Sequence, residues 1–91
     1  MSHFTVPFTP LRERLAIEKP ELLVGLDRLQ SMMGEADFEQ YINSLNSLKK
    51  SDDLLLLITR KAMYYSIIQQ QFIPMLKESF DVKNVRVISQ G

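Results

Sequence analysis

A chain of 91 residues with no cysteine, a net charge of zero and a pI of about 6.6 makes one small domain that its apolar core alone must hold together. Disulfides and thiolate metal sites are excluded. Neutrality also argues against strong binding to nucleic acid or a membrane surface, since both need a cationic excess on some face.

A hydrophobic share of 45% beside 24% charged residues describes an ordinary globular core with a solvated surface. The longest apolar run, 54–58, is far too short to cross a bilayer. The start holds Phe4, Val6 and Phe8 but no basic region followed by a long apolar stretch, so a cytoplasmic protein without membrane contact is expected.

Residues 1–19 are interrupted by Pro7 and Pro10, and Leu11, Leu15 and Glu18 support two helical turns at most. A flexible arm or a short flanking helix is expected there, with the domain itself spanning 20–91. Pro20 suits a first helical position, because its missing N–H has no partner there in any case. Leu22, Leu26, Leu29 and Met33 then recur on one helical face, widened by Leu23, and Gly34 stands where a left-handed terminating residue belongs. A helix over 20–33 follows.

A second helix is expected over 35–45. Glu35 and Asp37 suit its positive end, and Phe38, Tyr41, Ile42 and Leu45 form its stripe. Two such helices joined by about one glycine fold back as a hairpin. Residues 46–53 read as a polar loop that admits a short strand over 47–50. The run 54–58 reads as a central strand covered on both sides. Thr59 is the expected N-cap of a long helix reaching Phe80, with Met63, Tyr64, Ile67, Ile68, Phe72, Met75 and Leu76 along its apolar side. Pro74 deletes one of that helix's hydrogen bonds and should bend it near Gln70 and Gln71 without ending it. Over 84–89, Val85 and Val87 alternate with Arg86 and Ile88, the pattern of a last strand paired with 54–58. The class is α+β, in the order α-α-β-α-β. Its expected core is Leu26, Leu29, Phe38, Ile42, Leu56, Ile68, Phe72 and Leu76.

The inventory for catalysis is poor. His3 is the one histidine and lies in the expected arm, and Gly25, Gly34 and Gly91 form no phosphate-cradling loop. Asp52 and Asp53 beside Lys49 and Lys50 read as solvating charge on a loop. No enzyme, cofactor or metal site is expected. For nucleic acid, Lys49, Lys50, Arg60 and Lys61 bracket the first strand and could gather on one edge beside Tyr64 and Tyr65, as in single-strand binders. Net neutrality favours the plainer reading of solubilising lysines and packed tyrosines, with at most weak single-stranded DNA binding.

Taken in order, these residues resemble a known family. The ordered set is Leu22-Leu26-Leu29, then Phe38-x-x-Tyr41-Ile42 and Leu54-x-Leu56, followed by Thr59-Arg60, Phe72-Ile73-Pro74-Met75-Leu76 and Val85-x-Val87. Over about two-thirds of the chain it resembles the N-terminal domain of the bacterial replication initiator DnaA. The resemblance implies a type II KH-like fold and a protein-docking role in replication initiation. The implied partners are the replicative helicase, the initiator itself or small initiation regulators. Asp37 holds the place of an acidic helicase-contacting residue, and Arg60, Lys61 and Met63 open the third helix, which also contributes contacts in that family. Leu22 and Tyr41 stand where the family often has tryptophan. Self-association through Leu22 is therefore expected to be weak. The family's Walker A loop and helix-turn-helix are absent, so the resemblance implies either a piece of a longer initiator or a free-standing docking protein. The arm before the first helix is longer than usual and points to a divergent or phage-type relative. Two alternatives stay open: another replisome adaptor, resembling the C-terminal domain of the clamp-loader tau subunit, and a KH-like single-strand nucleic-acid-binding module.

Overall fold

The computed structural model describes residues 9–90, so the readings of His3, Gly91 and the first eight residues lie outside the described residues. The chain folds as α1 (Leu11–Glu18), a 3-10 turn (Pro20–Leu22), α2 (Leu23–Met33), α3 (Glu35–Asp37) running on as a π-helical turn (Phe38–Ile42), β1 (Ser47–Ser51) and β2 (Leu54–Thr59). It continues through α4 (Ala62–Ile67), a second π-helical turn (Ile68–Phe72), α5 (Ile73–Phe80) and β3 (Asn84–Ser89). The class is α+β, as expected, with more elements than the sequence suggested. The sheet is mixed, in the order β1-β2-β3: β1 and β2 are antiparallel, and β2 and β3 parallel.

The expected arm is part of the domain. Leu11 and Leu15 are buried in the core cluster, and the start of α1 is fastened to the end of the second helix. The carbonyl of Asn43 accepts the N–H of Leu11 at 3.0 Å, and its side-chain oxygen accepts the N–H of Arg12 at 3.1 Å. Two of the donors that a helix start leaves without partners are thereby satisfied. The Arg14 guanidinium donates to the carbonyls of Thr9, Leu45 and Asn46. Arg12 also pairs with Asp27 of α2, but both side chains are well exposed and such pairs contribute little.

The hairpin of α2 and the second helix holds, with Leu26, Leu29, Phe38 and Ile42 fully enclosed. Its second arm is shorter than expected. The helix ends at Ile42 and not at residue 45, because Asn43 turns away to meet α1, although Leu45 stays buried. Gly34 has φ 93° and ψ 152°, so it takes the positive φ expected of it but an extended ψ, outside the left-handed helical region. The polar stretch before β2 is a strand and a two-residue turn, where Asp52 adopts φ 52°, a conformation that short polar side chains tolerate.

Three expectations about the centre of the chain are overturned. Thr59 is not an N-cap. It is the last residue of β2, paired with Ser89, and its carbonyl accepts the N–H of Gln90 at 2.8 Å. The helix begins at Ala62 after an extended Lys61, and no side chain caps it. Second, the register of β2 is one residue off. Leu55, Leu57 and Thr59 face the core, while Leu56 lies on the other face and is only partly buried. A one-residue shift flips every side chain of a strand. Third, β2 is central, but among the described residues it is covered on one face only, with Leu54 exposed and Leu56 and Ile58 partly buried on the other.

Pro74 does not end the helix. It sits in the first turn of α5, directly after the π-helical turn Ile68–Phe72. This irregularity includes Gln70 and Gln71, where the bend was expected. Widening the turn before a proline relieves its clash with the carbonyl four residues back. Leu76 and Phe80 beyond it reach the core.

The hydroxyl of Thr59 is buried and has no hydrogen-bond partner. Valine has the same shape without the orphaned polar atom. Thr59→Val should raise stability by about 1 kcal/mol, seen as a thermal midpoint several degrees higher. A lower midpoint would show that the hydroxyl is hydrogen-bonded in solution.

Candidate functional site

The turn between β2 and α4 carries the first group of residues singled out in the sequence. Arg60 and Lys61 lie with Ser44, Thr59 and Tyr64 around an open pocket of about 480 Å³. Ser44, just past the second helix, therefore faces the start of α4. The two helices are locked by rings. Tyr41 meets Tyr64 edge-on, with centroids 4.9 Å apart, and leans on Phe72 at 5.7 Å. Lys61 Nζ stands 5.1 Å from the Tyr64 centroid, a cation–π distance. Met63 is 70% exposed, as are Ile17 at 84% and Val24 at 66% elsewhere on the surface.

Asp37 is not in this pocket. It is partly buried and lies at the start of the second helix, at the opposite end of that helix from Ser44. The observed contacts run from Tyr41 through Tyr64 to Lys61 and Arg60, with Asp37 about one helical turn before Tyr41 in the chain and Met63 exposed in the first turn of α4. An acid, an aromatic centre, two bases and an exposed methionine can orient and grip a protein surface. Leu22 does not belong to such a surface. It is 8% exposed and packs in the core, which removes it as a principal self-association contact.

The four cations proposed for nucleic acid do not gather. Lys49 and Lys50 pair with Leu56 and Leu55, so Arg60 lies four to five residues farther along the strand axis. At about 3.3 Å per residue that separation is roughly 13–17 Å. Lys49 and Lys50 instead meet Lys19, Glu21, Leu22 and Ser51 around a groove of about 450 Å³ at the free edge of β1. Lys19 gave no sign of this role in the sequence, because the contact depends on the hairpin of β1 and β2.

Among the described residues, no group of three or more His, Cys, Asp or Glu side chains is placed to hold a metal ion. No helix among the described residues is long and apolar enough to cross a membrane. No protein-family model matches the chain, and no curated protein or solved structure was found to be similar to it.

Proposed function

We propose that this chain is a cytoplasmic protein-docking domain of DNA-replication initiation, similar to the N-terminal domain of DnaA, and that it acts by binding rather than by catalysis. The observation that carries the reading is the contact of Tyr41 with Tyr64, flanked by Lys61 and Arg60, with Asp37 one turn before Tyr41 on the second helix and Met63 exposed in the first turn of α4. Of these, Asp37, Arg60, Lys61 and Met63 are the positions at which the resemblance places helicase contacts. The element order lends support, since a β1–β2 hairpin followed by a long helical crossover to a parallel β3 agrees with a type II KH-like arrangement. The single-strand alternative loses ground, because its four cations lie toward opposite ends of the sheet and Tyr64 is engaged by Tyr41.

The test is affinity for the purified replicative helicase of the same organism. Asp37→Lys combined with Lys61→Glu should weaken binding roughly tenfold and change the melting temperature little, as Lys61 is exposed and Asp37 keeps part of its surface in water. A folded double variant with undiminished affinity would remove these residues as the docking surface. Absence of helicase binding by the unaltered protein would remove the initiation reading.

A further inference from the structure

The sheet has a second face, which no helix among the described residues covers. Strand alternation turns Ser47, Lys49 and Ser51 of β1, Leu54, Leu56 and Ile58 of β2, and Asn84, Arg86 and Ile88 of β3 away from the core. In register they form three rows: Ser47–Ile58–Ile88, Lys49–Leu56–Arg86 and Ser51–Leu54–Asn84. Leu54 is 38% and Ile88 40% exposed, and Leu56 and Ile58 are only partly buried. An apolar ridge therefore runs down the middle strand, with a cation on each side of its central leucine. None of the nine outward positions carries a carboxylate.

We propose that this outer face docks an amphipathic helix of a partner protein whose apolar stripe is flanked by carboxylates on both sides. Size and charge select this occupant. Three strands about 4.8 Å apart, β1 of five residues and β2 and β3 of six, make a face about 10 Å wide and up to about 20 Å long. That is the width of one α-helix and the length of about 13 helical residues. Leu54, Leu56, Ile58 and Ile88 meet the apolar stripe, and Lys49 and Arg86 reach the acidic residues along its two borders. A second copy of this chain fits poorly, since its outer face would bring two more cations and no carboxylate to meet them. Nucleic acid fits poorly as well, because the face has no aromatic ring on which a base could stack. The proposal is independent of the initiation reading, whose residues lie along the second helix and the start of α4.

The test uses the full chain, labelled for amide NMR, and a synthetic 14-residue helical peptide with leucines at i, i+3, i+4 and i+7 and glutamates along both borders. A twin peptide carries lysines in place of the glutamates. The glutamate peptide should shift the resonances of Leu54, Leu56, Ile58, Arg86 and Ile88 and bind at least about tenfold more tightly than its twin. Lys49→Glu with Arg86→Glu should reverse that preference without changing the melting temperature. Equal affinity for both peptides would overturn the proposal. So would shifts confined to the Leu22–Lys50 groove or the Tyr64 pocket. Concentration-dependent broadening of the face without peptide would make a second copy its occupant, and tighter binding of oligothymidylate at these residues would make it a nucleic-acid surface; either result also overturns the proposal.

Discussion

Phe38→Ala should remove a large part of the protein's stability and lower its thermal midpoint by well over about 10 °C. Phe38 is 1% exposed and sits where α3 passes into its π-helical turn, with its N–H given to the Gly34 carbonyl and its own carbonyl taken by the N–H of Asn43, both at 3.0 Å. The backbone is therefore anchored on both sides of the ring, and the site can collapse little when the ring is removed. Truncating a buried phenylalanine costs about 3–5 kcal/mol under such conditions. A domain of this size has a total stability of roughly 5–14 kcal/mol at 0.05–0.15 kcal/mol per residue, and small cores lie toward the low end. Loss of Phe38 also loosens Asn43, which holds the start of α1. The effect should therefore spread to Leu11 and Leu15. Circular dichroism with temperature is the measurement, and a variant that melts like the parent would show that Phe38 is not enclosed in solution.

The parts of the fold that the sequence makes readable are those in which an apolar period stands against polar neighbours. Leu22, Leu26 and Leu29 show such a period, and their helix is present. Val85 and Val87 alternate with Arg86 and Ile88, and that strand has the expected two faces. Residues 54–58 contain five consecutive apolar residues, so nothing local chooses between two registers. The choice comes from pairing. Leu55 and Leu57 stand beside Val85 and Val87, and Leu57 also stands beside Leu48, so the core-facing positions of the three strands coincide. Leu56 is thereby turned outward, and with it an entire apolar face.

Before Pro20 the short helix, one of the two expected readings, is present as α1, but its burial in the core was illegible for a different reason. Leu11 and Leu15 are only two apolar residues, Ile17 falls off their face, and the contacts that fix the helix are polar and come from Asn43, Leu45 and Asn46, some 30 residues away. Thr59 has the residue type of an N-cap but serves a strand, because β3 continues to pair with β2 as far as that position. At the candidate site, Asp37, Arg60, Lys61 and Met63 were all read from the chain. The contact of Tyr41 with Tyr64 between them is announced by no spacing.

Gly25→Ala should destabilise the protein, against the ordinary rule for a glycine inside a helix. Helix propensity alone favours alanine over glycine by about 1 kcal/mol. Here the added methyl has no room. A Cβ built on Gly25 would lie 2.5 Å from both Cδ1 and Cε1 of Phe80 and 3.1 Å from its Cγ. Phe80 is buried at the end of α5, immediately before Asp81, which closes that helix in the left-handed conformation with φ 54°. The ring cannot swing into solvent without giving up its burial, and its backbone is fixed by the cap, so α2 and α5 must separate or the ring must leave its preferred rotamer. Overpacking of this kind costs about 1–3 kcal/mol; a clash at 2.5 Å on a buried ring lies toward the upper end, which exceeds the propensity gain and leaves a net loss of up to about 2 kcal/mol. Phe80→Leu alone should cost a similar amount through lost burial. In the Phe80→Leu background the obstacle is smaller, and Gly25→Ala should become neutral or stabilising, approaching the propensity value. Urea denaturation of the four proteins measures this through midpoints compared at a common slope. The interaction between the two positions should be about 1–2 kcal/mol and of compensating sign. If the two changes simply add, the close approach of α2 to the Phe80 ring does not govern this helix pair.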